Sequence, residues 1–187
     1  MVEPEVRFNG FDEEWVEVRL GDAYVIKRGK VLAKKDVFES YSSEHPYPVY
    51  SSQTLNDGLM GYSDKYLFKD AVTWTTDGAY AGTVHYRSGY FYSTNVNGVL
   101  LSNNLPVNYL VAMAFSRVSD RHVNKRNNPK LMSNVVSDIH IKIPETIDEQ
   151  DILSSFFKHL DAFVAAEERK QALQDKINQG LLQQMLV

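Results

Sequence analysis

The sequence contains no cysteine, which excludes disulfide bonds, thiolate metal sites and thiol nucleophiles. It also has no stretch that approaches the ~18 consecutive apolar residues of a membrane span. Its first residues are acidic and lack the apolar core of a secretory signal peptide. We therefore expect a soluble, cytoplasmic protein that does not interact with a membrane.

Residue patterns typical of catalysis are missing as well. The five histidines lack metal-ligand spacing, and no pair of carboxylates stands apart as a general acid and base. Segment 127–130 superficially resembles the Asn-Pro-Pro-aromatic motif of amino-methyltransferases, but it lacks the second proline and the aromatic residue. No glycine-rich strand–turn–helix for a nucleoside cofactor precedes it. We expect a chain that is non-catalytic by itself and binds neither a cofactor nor a metal.

Charge is distributed unevenly along the chain. The formal net charge is −4, yet residues 1–144 carry 16 basic and 16 acidic side chains, whereas residues 145–187 carry 4 and 8. Ten of these 16 basic residues form two clusters: Lys27, Arg28, Lys30, Lys34 and Lys35 in the first, and Arg117, Arg121, Lys125, Arg126 and Lys130 in the second. Such clusters are compatible with phosphate contacts, and two solvated loops would explain them equally well.

Short strands separated by turn residues are predicted over most of the first 144 residues. Segments 23–26, 72–76, 83–86, 90–94 and 99–101 are rich in β-branched or aromatic residues, which indicates a β-meander. Pro106 predicts a helix over residues 107–115, and strict alternation over 139–143 predicts the last strand. We expect an α+β fold, with a mixed, β-rich domain over residues 1–144.

From Thr146 onward the pattern is that of one long helix. Thr146 and Glu149 have the spacing of a capping box, and no proline follows them. A helix from about residue 148 to about residue 185 would be ~57 Å long, which exceeds what a small domain can flank. Residues 145–187 are therefore predicted to form a second unit that meets another surface.

One face of this helix is apolar at both ends and polar in the middle, in an arrangement that is symmetric about Glu168. Its members are Ile152, Phe156, Leu160, Phe163, Glu167, Lys170, Ile177, Leu181 and Met185. Two antiparallel copies would pair Leu160 with Ile177, and Glu167 with Lys170 of the other chain. This pattern predicts a homodimer through an antiparallel coiled coil. The alternative is that the helix packs back on its own domain.

Four blocks of the sequence resemble, in the same order, the specificity subunits of type I restriction–modification systems. The blocks are 4–22 with Trp15 and Leu20-Gly21-Asp22, 47–62 with Tyr47-Pro48-Val49-Tyr50, 73–83 with Asp77-Gly78, and the segment from Pro144 through Glu149-Gln150 and Leu160-Asp161 into the helix. The last block is similar to the conserved spacer region of those subunits.

The resemblance implies a role that composition alone does not. A full specificity subunit has two recognition domains, each followed by one such helix, and it reads two short DNA blocks split by a non-specific spacer. Methyltransferase and restriction nuclease subunits supply the chemistry. Only one domain and one helix are present here, so the implied partners are double-stranded DNA, those subunits and a second copy of the chain.

DNA contacts are expected on the basic clusters and the turn-rich loops. Phosphate contacts, which position a protein without reading sequence, are predicted as the main role of Lys27, Arg28, Lys30, Lys34, Lys35, Arg121, Lys125 and Arg126. The alternative for some of them is insertion into a groove. Candidate base contacts are Gln53, Thr54, Asn56, Thr76, Asp77, Tyr80 and Asn95. Each of these polar residues could instead build a turn, and Trp74 is more typical of a core than of a stacking platform.

Other functions fit the same residues. The chain could be a recognition subunit of another restriction class, or a β-rich carbohydrate- or protein-binding module that oligomerises through its helix. An enzyme with an unrecognised site is a further alternative. The basic clusters favour DNA over sugar.

Overall fold

A computed structural model describes residues 7–52 and 55–185, in which a β-rich domain is followed by one long helix. The strands are β1 (Trp15–Arg19), β2 (Tyr24–Arg28), β3 (Tyr47–Tyr50), β4 (Leu59–Ser63), β5 (Phe68–Thr75), β6 (Val84–Ser93), β7 (Asn97–Ser102) and β8 (His140–Pro144). The α-helices are α1 (Leu20–Ala23), α2 (Tyr109–Ser119), α3 (Ser133–Ser137) and α4 (Ile147–Met185). The predicted α+β class with a long C-terminal helix is confirmed.

Six strands form one mixed sheet in the order β2-β7-β5-β6-β3-β4, in which only β3 and β6 are parallel neighbours. The predicted β-meander is wrong, because β7 pairs with β5 and not with β6, which precedes it in the chain. Residues 87–89 were predicted to separate two strands, but they lie inside β6, where a bulge places Ser88 and Gly89 opposite the single residue Asp70 of β5. The Asp70 carboxylate accepts a hydrogen bond from the amide of Gly89 (2.7 Å), so the two strands stay joined at this point.

The second half of β6 contributes to a small second core, and its end contacts the end of β2. Phe91 is fully buried against Ala71 and Val99 in a small second core. The carbonyl of Ser93, at the end of β6, accepts a hydrogen bond from the amide of Lys30, just after β2 (3.0 Å). A Cβ on Gly29 would lie 2.3 Å from that carbonyl oxygen, so only glycine permits the approach. The ends of β2 and β6 therefore meet at one side of the domain.

The main core lies between the six-stranded sheet, α2 and the antiparallel pair of β1 and β8. Trp74 is fully buried, with its ring edge-on to Phe115 at 6.0 Å between centroids. The indole Nε1 donates a hydrogen bond to the carbonyl of Leu131 (2.9 Å). A Cβ on Gly98 would lie 2.0 Å from the indole ring, so glycine is required there. Trp74 is a core residue that also ties the loop before α3 to the sheet.

The predicted helix after Pro106 begins slightly later, at Tyr109. Asn108 is its N-cap, and the Asn108 side chain accepts a hydrogen bond from the amide of Val111 (3.0 Å). An Asn side chain in this position satisfies an amide that has no partner within the helix, and this fixes the start of α2.

The long helix α4 begins where it was predicted, but the capping box does not form. The Thr146 hydroxyl is buried and has no hydrogen-bond partner among the described residues. The Glu149 carboxylate instead accepts two hydrogen bonds from Arg7, from Nε (3.1 Å) and Nη2 (2.7 Å). Glu149 is almost fully buried, so the segment before β1 anchors the start of the helix.

Only the first turns of α4 pack on the domain. The hydroxyl of Ser154 accepts a hydrogen bond from the amide of Tyr109 (2.9 Å), and the Tyr109 hydroxyl donates to the Asp161 carboxylate. Phe156 contacts the ring of Phe8, with centroids 5.3 Å apart. Within the described residues, no hydrogen bond, ion pair or ring contact joins α4 beyond Asp161 to the domain. The alternative that the helix packs back on its own domain therefore holds only for residues 147–161.

Candidate nucleic-acid interface

Arg28, at the end of β2, is fixed by hydrogen bonds to two neighbouring loops. Its Nε donates to the carbonyl of Asn95 (2.7 Å), and its Nη2 donates to Asp77 Oδ2 (3.2 Å) and Thr76 Oγ1 (3.4 Å). The loops come together because β2 and β5 flank β7, so that their ends lie beside the turn between β6 and β7. Four residues that the sequence predicted to contact DNA thus form one cluster.

Asp77 connects this cluster to the second basic cluster. Its Oδ1 lies 3.8 Å from the Nζ of Lys130. Backbone hydrogen bonds run from the amide of Gly78 to the carbonyl of Pro129 (3.0 Å) and from the amide of Leu131 to the carbonyl of Thr76 (2.9 Å). The loop that carries Lys125, Arg126 and Lys130 is therefore held against the loop after β5. Members of the two basic clusters, far apart in sequence, therefore lie at the same end of the domain.

The loop after β3 reaches the same place. Ser51 Oγ accepts a hydrogen bond from Thr94 Oγ1 (3.1 Å), and the carbonyl of Tyr50 accepts one from the amide of Thr94 (2.9 Å). Asn56 follows in this loop, exposed and with a left-handed backbone (φ = 50°). The other two residues predicted to read bases here, Gln53 and Thr54, lie outside the described residues. We call the loops that carry Asp77, Asn95 and Lys130, together with the loop after β3, the loop end of the domain.

Arg87 on β6 supports the loop after β3 and was missed by the sequence analysis. Its Nη2 donates to the carbonyl of Asp57, and its guanidinium lies 3.8 Å from the centroid of the Tyr50 ring. Burial lowers the pKa of Arg87, and burial together with this cation lowers the pKa of His85 to about 4. A lone cation inside an aromatic-rich strand was the available signal, but residues 87–89 had been interpreted as a turn.

The remaining predicted contacts are exposed side chains around the loop end. Lys27 and Lys30 flank Arg28 in sequence, and Arg121 lies in the short helical turn Asp120–His122. Lys125 forms an ion pair with Asp120 (2.9 Å). The ring of Tyr80, 53% exposed, lines an open cleft beside the end of α2.

Lys34 and Lys35 are not brought into the cluster. They lie in a separate short turn, Lys34–Asp36, in which Asp36 forms an ion pair with Lys65 (2.8 Å) after β4. That pairing attaches the turn to the β4 side of the sheet. The hydrogen bonds of the loop end, as far as the described residues show them, do not include these two lysines.

A row of exposed apolar side chains runs along α4, which we call the helix stripe. Its described members are Ile152, Phe156, Leu160, Phe163, Ile177 and Leu181, each between 42% and 63% exposed. The side chain of Met185, predicted to end this row, lies outside the described side chains. At its centre Glu167 and Lys170 form an exposed ion pair within the chain, 3.4 Å apart. A row of this length is typical of a surface that a partner covers.

The described part of the chain has neither a metal-ligand cluster nor a membrane-spanning helix. Residues 7–52 and 55–185 contain no group of three or more His, Asp or Glu side chains placed to hold a metal ion. None of the helices in those two ranges is long and apolar enough to cross a membrane.

Comparison with known proteins identifies one family. Its sequence model, described as the type I restriction modification DNA specificity domain, matches residues 12–175. A Mycoplasma pneumoniae protein named as the N-terminus of a type I specificity subunit is 40% identical over 128 residues, which are 66% of this chain and 66% of that protein. A second protein of that organism, named as a type I specificity subunit, is 35% identical over 143 residues, 75% of this chain and 38% of its own length.

Structural comparison agrees on the fold. The crystal structure of a type I restriction–modification S subunit from M. genitalium superposes with a TM-score of 0.69 at 16% sequence identity. The match covers 86% of this chain and 42% of that one. The chain thus spans between about two fifths and two thirds of the length of these proteins.

Proposed function

The chain belongs to the family of type I restriction–modification DNA specificity domains, and from this premise we propose that it recognises the DNA target of such a system. In this role it directs methyltransferase and nuclease subunits to a split target and acts as a homodimer without catalysing the reaction itself. One observation carries the proposal: residues of both basic clusters, Arg28 and Lys130, meet the polar loop residues Thr76, Asp77 and Asn95 at the loop end. Family membership favours this role over a carbohydrate- or protein-binding module.

The charge pattern of the loop end suits a DNA groove. Lys27, Lys30 and Arg126 are exposed, and no carboxylate of the described residues forms an ion pair with them. At the same end of the domain Asp77 pairs with both Arg28 and Lys130, and Asn95 and Asn56 are exposed. Phosphates line the two sides of a groove and uncharged base edges form its floor. Exposed cations together with exposed, uncharged polar side chains match that arrangement.

Charge reversal tests the interface. A K27E/K30E variant should bind double-stranded DNA at least about 10-fold more weakly than the wild type at low salt, since two phosphate contacts become repulsive. Fluorescence anisotropy with labelled duplexes of random sequence measures this effect. K158E, which reverses an exposed charge on α4 away from the loop end, is the matched control and should bind as the wild type does. Equal affinity of all three proteins, or no duplex binding at all, would contradict the proposal.

The second copy is placed along the helix stripe. In an antiparallel pair, Leu160 of one chain would contact Ile177 of the other, and Phe156 would contact Leu181. The exposed Glu167–Lys170 pair within one chain is worth little energy, so exchanging it for two pairs between chains costs little. Two identical domains related by this two-fold axis would read a palindromic, split target.

A charge swap tests the register of this pair. K170E would place two carboxylates opposite each other, once on each side of the two-fold axis, and should therefore weaken the dimer. Adding E167K to K170E should restore it. Analytical ultracentrifugation measures the dissociation constants, and circular dichroism checks that α4 remains helical. R169E, one residue away and off the stripe, is the matched control and should dimerise normally. A dimer that K170E leaves unchanged would contradict this register.

A further inference from the structure

We propose that Arg28 reads a guanine base, and that Asp77 is the positioning residue that holds it for this purpose. From the sequence alone, Arg28 is predicted mainly to contact phosphate. The inference rests on the proposed DNA-binding function, and it adds the kind of base pair recognised and the residues that recognise it.

The hydrogen bonds of Arg28 occupy one edge of its guanidinium and leave another edge available. The side edge, made of Nε and Nη2, donates to Asn95, Asp77 and Thr76. Nη1 has no hydrogen-bond partner among the described residues, and the side chain is 44% exposed. Nη2 carries two hydrogens and has two acceptors, Asp77 and Thr76, so Nη1 is the donor group without a partner among the described residues. This NH₂ group can donate to the O6 and N7 acceptors that guanine presents in the major groove.

Asp77 changes which partner Arg28 prefers. Its carboxylate lies 3.2 Å from Nη2 and is itself held by the Thr76 hydroxyl (2.6 Å). The carboxylate is shared with Lys130, whose Nζ lies 3.8 Å from its other oxygen, so it offsets part of the positive charge that an approaching phosphate would meet. A guanine edge carries no net charge, so the carboxylate does not weaken a hydrogen bond to it in this way. The guanidinium thus keeps its directional donors and loses part of its attraction for phosphate.

The fixed orientation of the Arg28 side chain also favours a base contact over a phosphate contact. Phosphate contacts need charge more than orientation, and the exposed, unpaired Lys27 and Lys30 supply it. Reading a base requires donors held in a defined direction. The contacts that fix Arg28 remove part of the rotamer freedom that an exposed arginine would otherwise lose on binding.

Selection from a library of randomised duplexes, followed by sequencing, tests the inference on the full-length chain. The wild type should enrich a motif with a G·C pair at one position that depends on Arg28. R28K keeps the positive charge but loses the fork, and R28A loses both. Both variants should reduce the preference for that G·C pair by roughly 5- to 150-fold and leave the other positions of the motif unchanged.

Salt dependence separates base reading from phosphate contact. R28A should leave the slope of log K against log salt unchanged, whereas K30A, the matched control, should flatten it by about 0.9 without altering the motif. D77A should do the opposite of K30A: it frees a cation, so the slope should steepen by up to about 0.9 while the same G·C preference weakens. Thermal unfolding of each variant confirms that it is folded.

Two results would overturn the inference alone. One is a wild-type motif that R28A and R28K leave intact. The other is an R28A slope that flattens as much as that of K30A. A wild-type chain that enriches no sequence would overturn the proposed function, and this inference with it.

Discussion

The loop end and the helix stripe are built in opposite ways. At the loop end, Arg28, Asp77 and the residues around them are bonded to one another across several loops before any partner arrives. The helix stripe leaves its apolar side chains exposed, and its central ion pair is worth little in water. Reading a sequence requires donors and acceptors that are already oriented. Association requires a surface that is more stable when covered than when exposed to water.

An ion pair and hydrogen bonds fix the first turns of α4 to the domain, and we call this contact region the joint. Arg7 pairs with the buried Glu149, and Tyr109 of α2 bonds to both Ser154 and Asp161 of α4. The direction in which α4 leaves the domain is therefore set by direct contacts with the domain rather than by a linker. In a dimer formed through the helix stripe, this joint would set the separation of the two loop ends.

The largest expected effect is on the domain itself. Trp74→Ala should lower the free energy of unfolding by roughly 3–5 kcal/mol, because it leaves a cavity and removes the bond to the Leu131 carbonyl. Urea denaturation followed by tyrosine and tryptophan fluorescence measures this loss. Phe163→Ala on the helix stripe is the comparison and should change the stability of the domain by less than about 0.5 kcal/mol. Equal losses in the two variants would break the contrast between the regions.

Next is the joint. Arg7→Ala leaves the Glu149 carboxylate buried without its cation and should cost about 3 kcal/mol of unfolding free energy. Adding Glu149→Gln removes the buried charge and should recover part of that loss. Urea titrations of the two variants and the wild type give the comparison. If Arg7→Ala is neutral, the joint does not depend on this pair.

The helix stripe should respond to shape as well as charge. Leu181→Ala removes apolar surface from both copies of a symmetric interface and should weaken the dimer by roughly 2 kcal/mol. Sedimentation equilibrium measures the change, and the melting temperature of the domain should stay the same. Gln183→Ala, an exposed position on the last turns, is the control. A dimer that is insensitive to Leu181 would place the interface elsewhere.

A smaller effect distinguishes the lysines of the first basic cluster. Lys27→Ala should flatten the salt dependence of DNA binding by about 0.9, as expected for one lost phosphate contact. Lys34→Ala and Lys35→Ala should flatten it less, because that turn is attached to the β4 side through Asp36 and Lys65. Equal slopes for all three variants would extend the interface beyond the loop end.

The smallest effect concerns His85, whose pKa is lowered to about 4 by burial and by Arg87. The unfolded chain, with a value near 6.5, takes up this proton first as the pH falls, so stability present at pH 7 is lost between about pH 6.5 and about pH 4. The loss approaches about 1.4 kcal/mol per pH unit. His85→Gln should therefore lose less stability than the wild type between pH 7 and pH 5. The same loss in both proteins would contradict the assigned pKa.

Local patterns predicted some of the fold well. The β-branched segments became β2, β5 and β7, the alternating segment became β8, and the long helix begins at Ile147. Strand order was not predictable, because pairing of β7 with β5 depends on contacts between distant residues. The bulge in β6 opposite Asp70 was mistaken for a turn because Arg87-Ser88-Gly89 has turn composition in either case. The predicted capping box was wrong because the Glu149 carboxylate is bound by Arg7, which is remote in sequence.

The candidate site shows the same division. The sequence predicted Arg28 as a phosphate contact and Thr76, Asp77 and Asn95 as base contacts, and the structure brings these four together. The bonds among them could not be foreseen, since they join loops that are distant in the chain. Arg87 was missed for the same reason, because its support of the loop after β3 is a tertiary contact. Lys34 and Lys35 were grouped with Arg28 by proximity in sequence alone.

The most direct test of the central claim is to map methylated sites in cells that express this chain together with type I methyltransferase subunits. A dimer with two identical loop ends predicts methylation at a palindromic motif that is split by a non-specific spacer and lost in K27E/K30E. A continuous or asymmetric motif, or methylation that persists unchanged in that variant, would contradict the account.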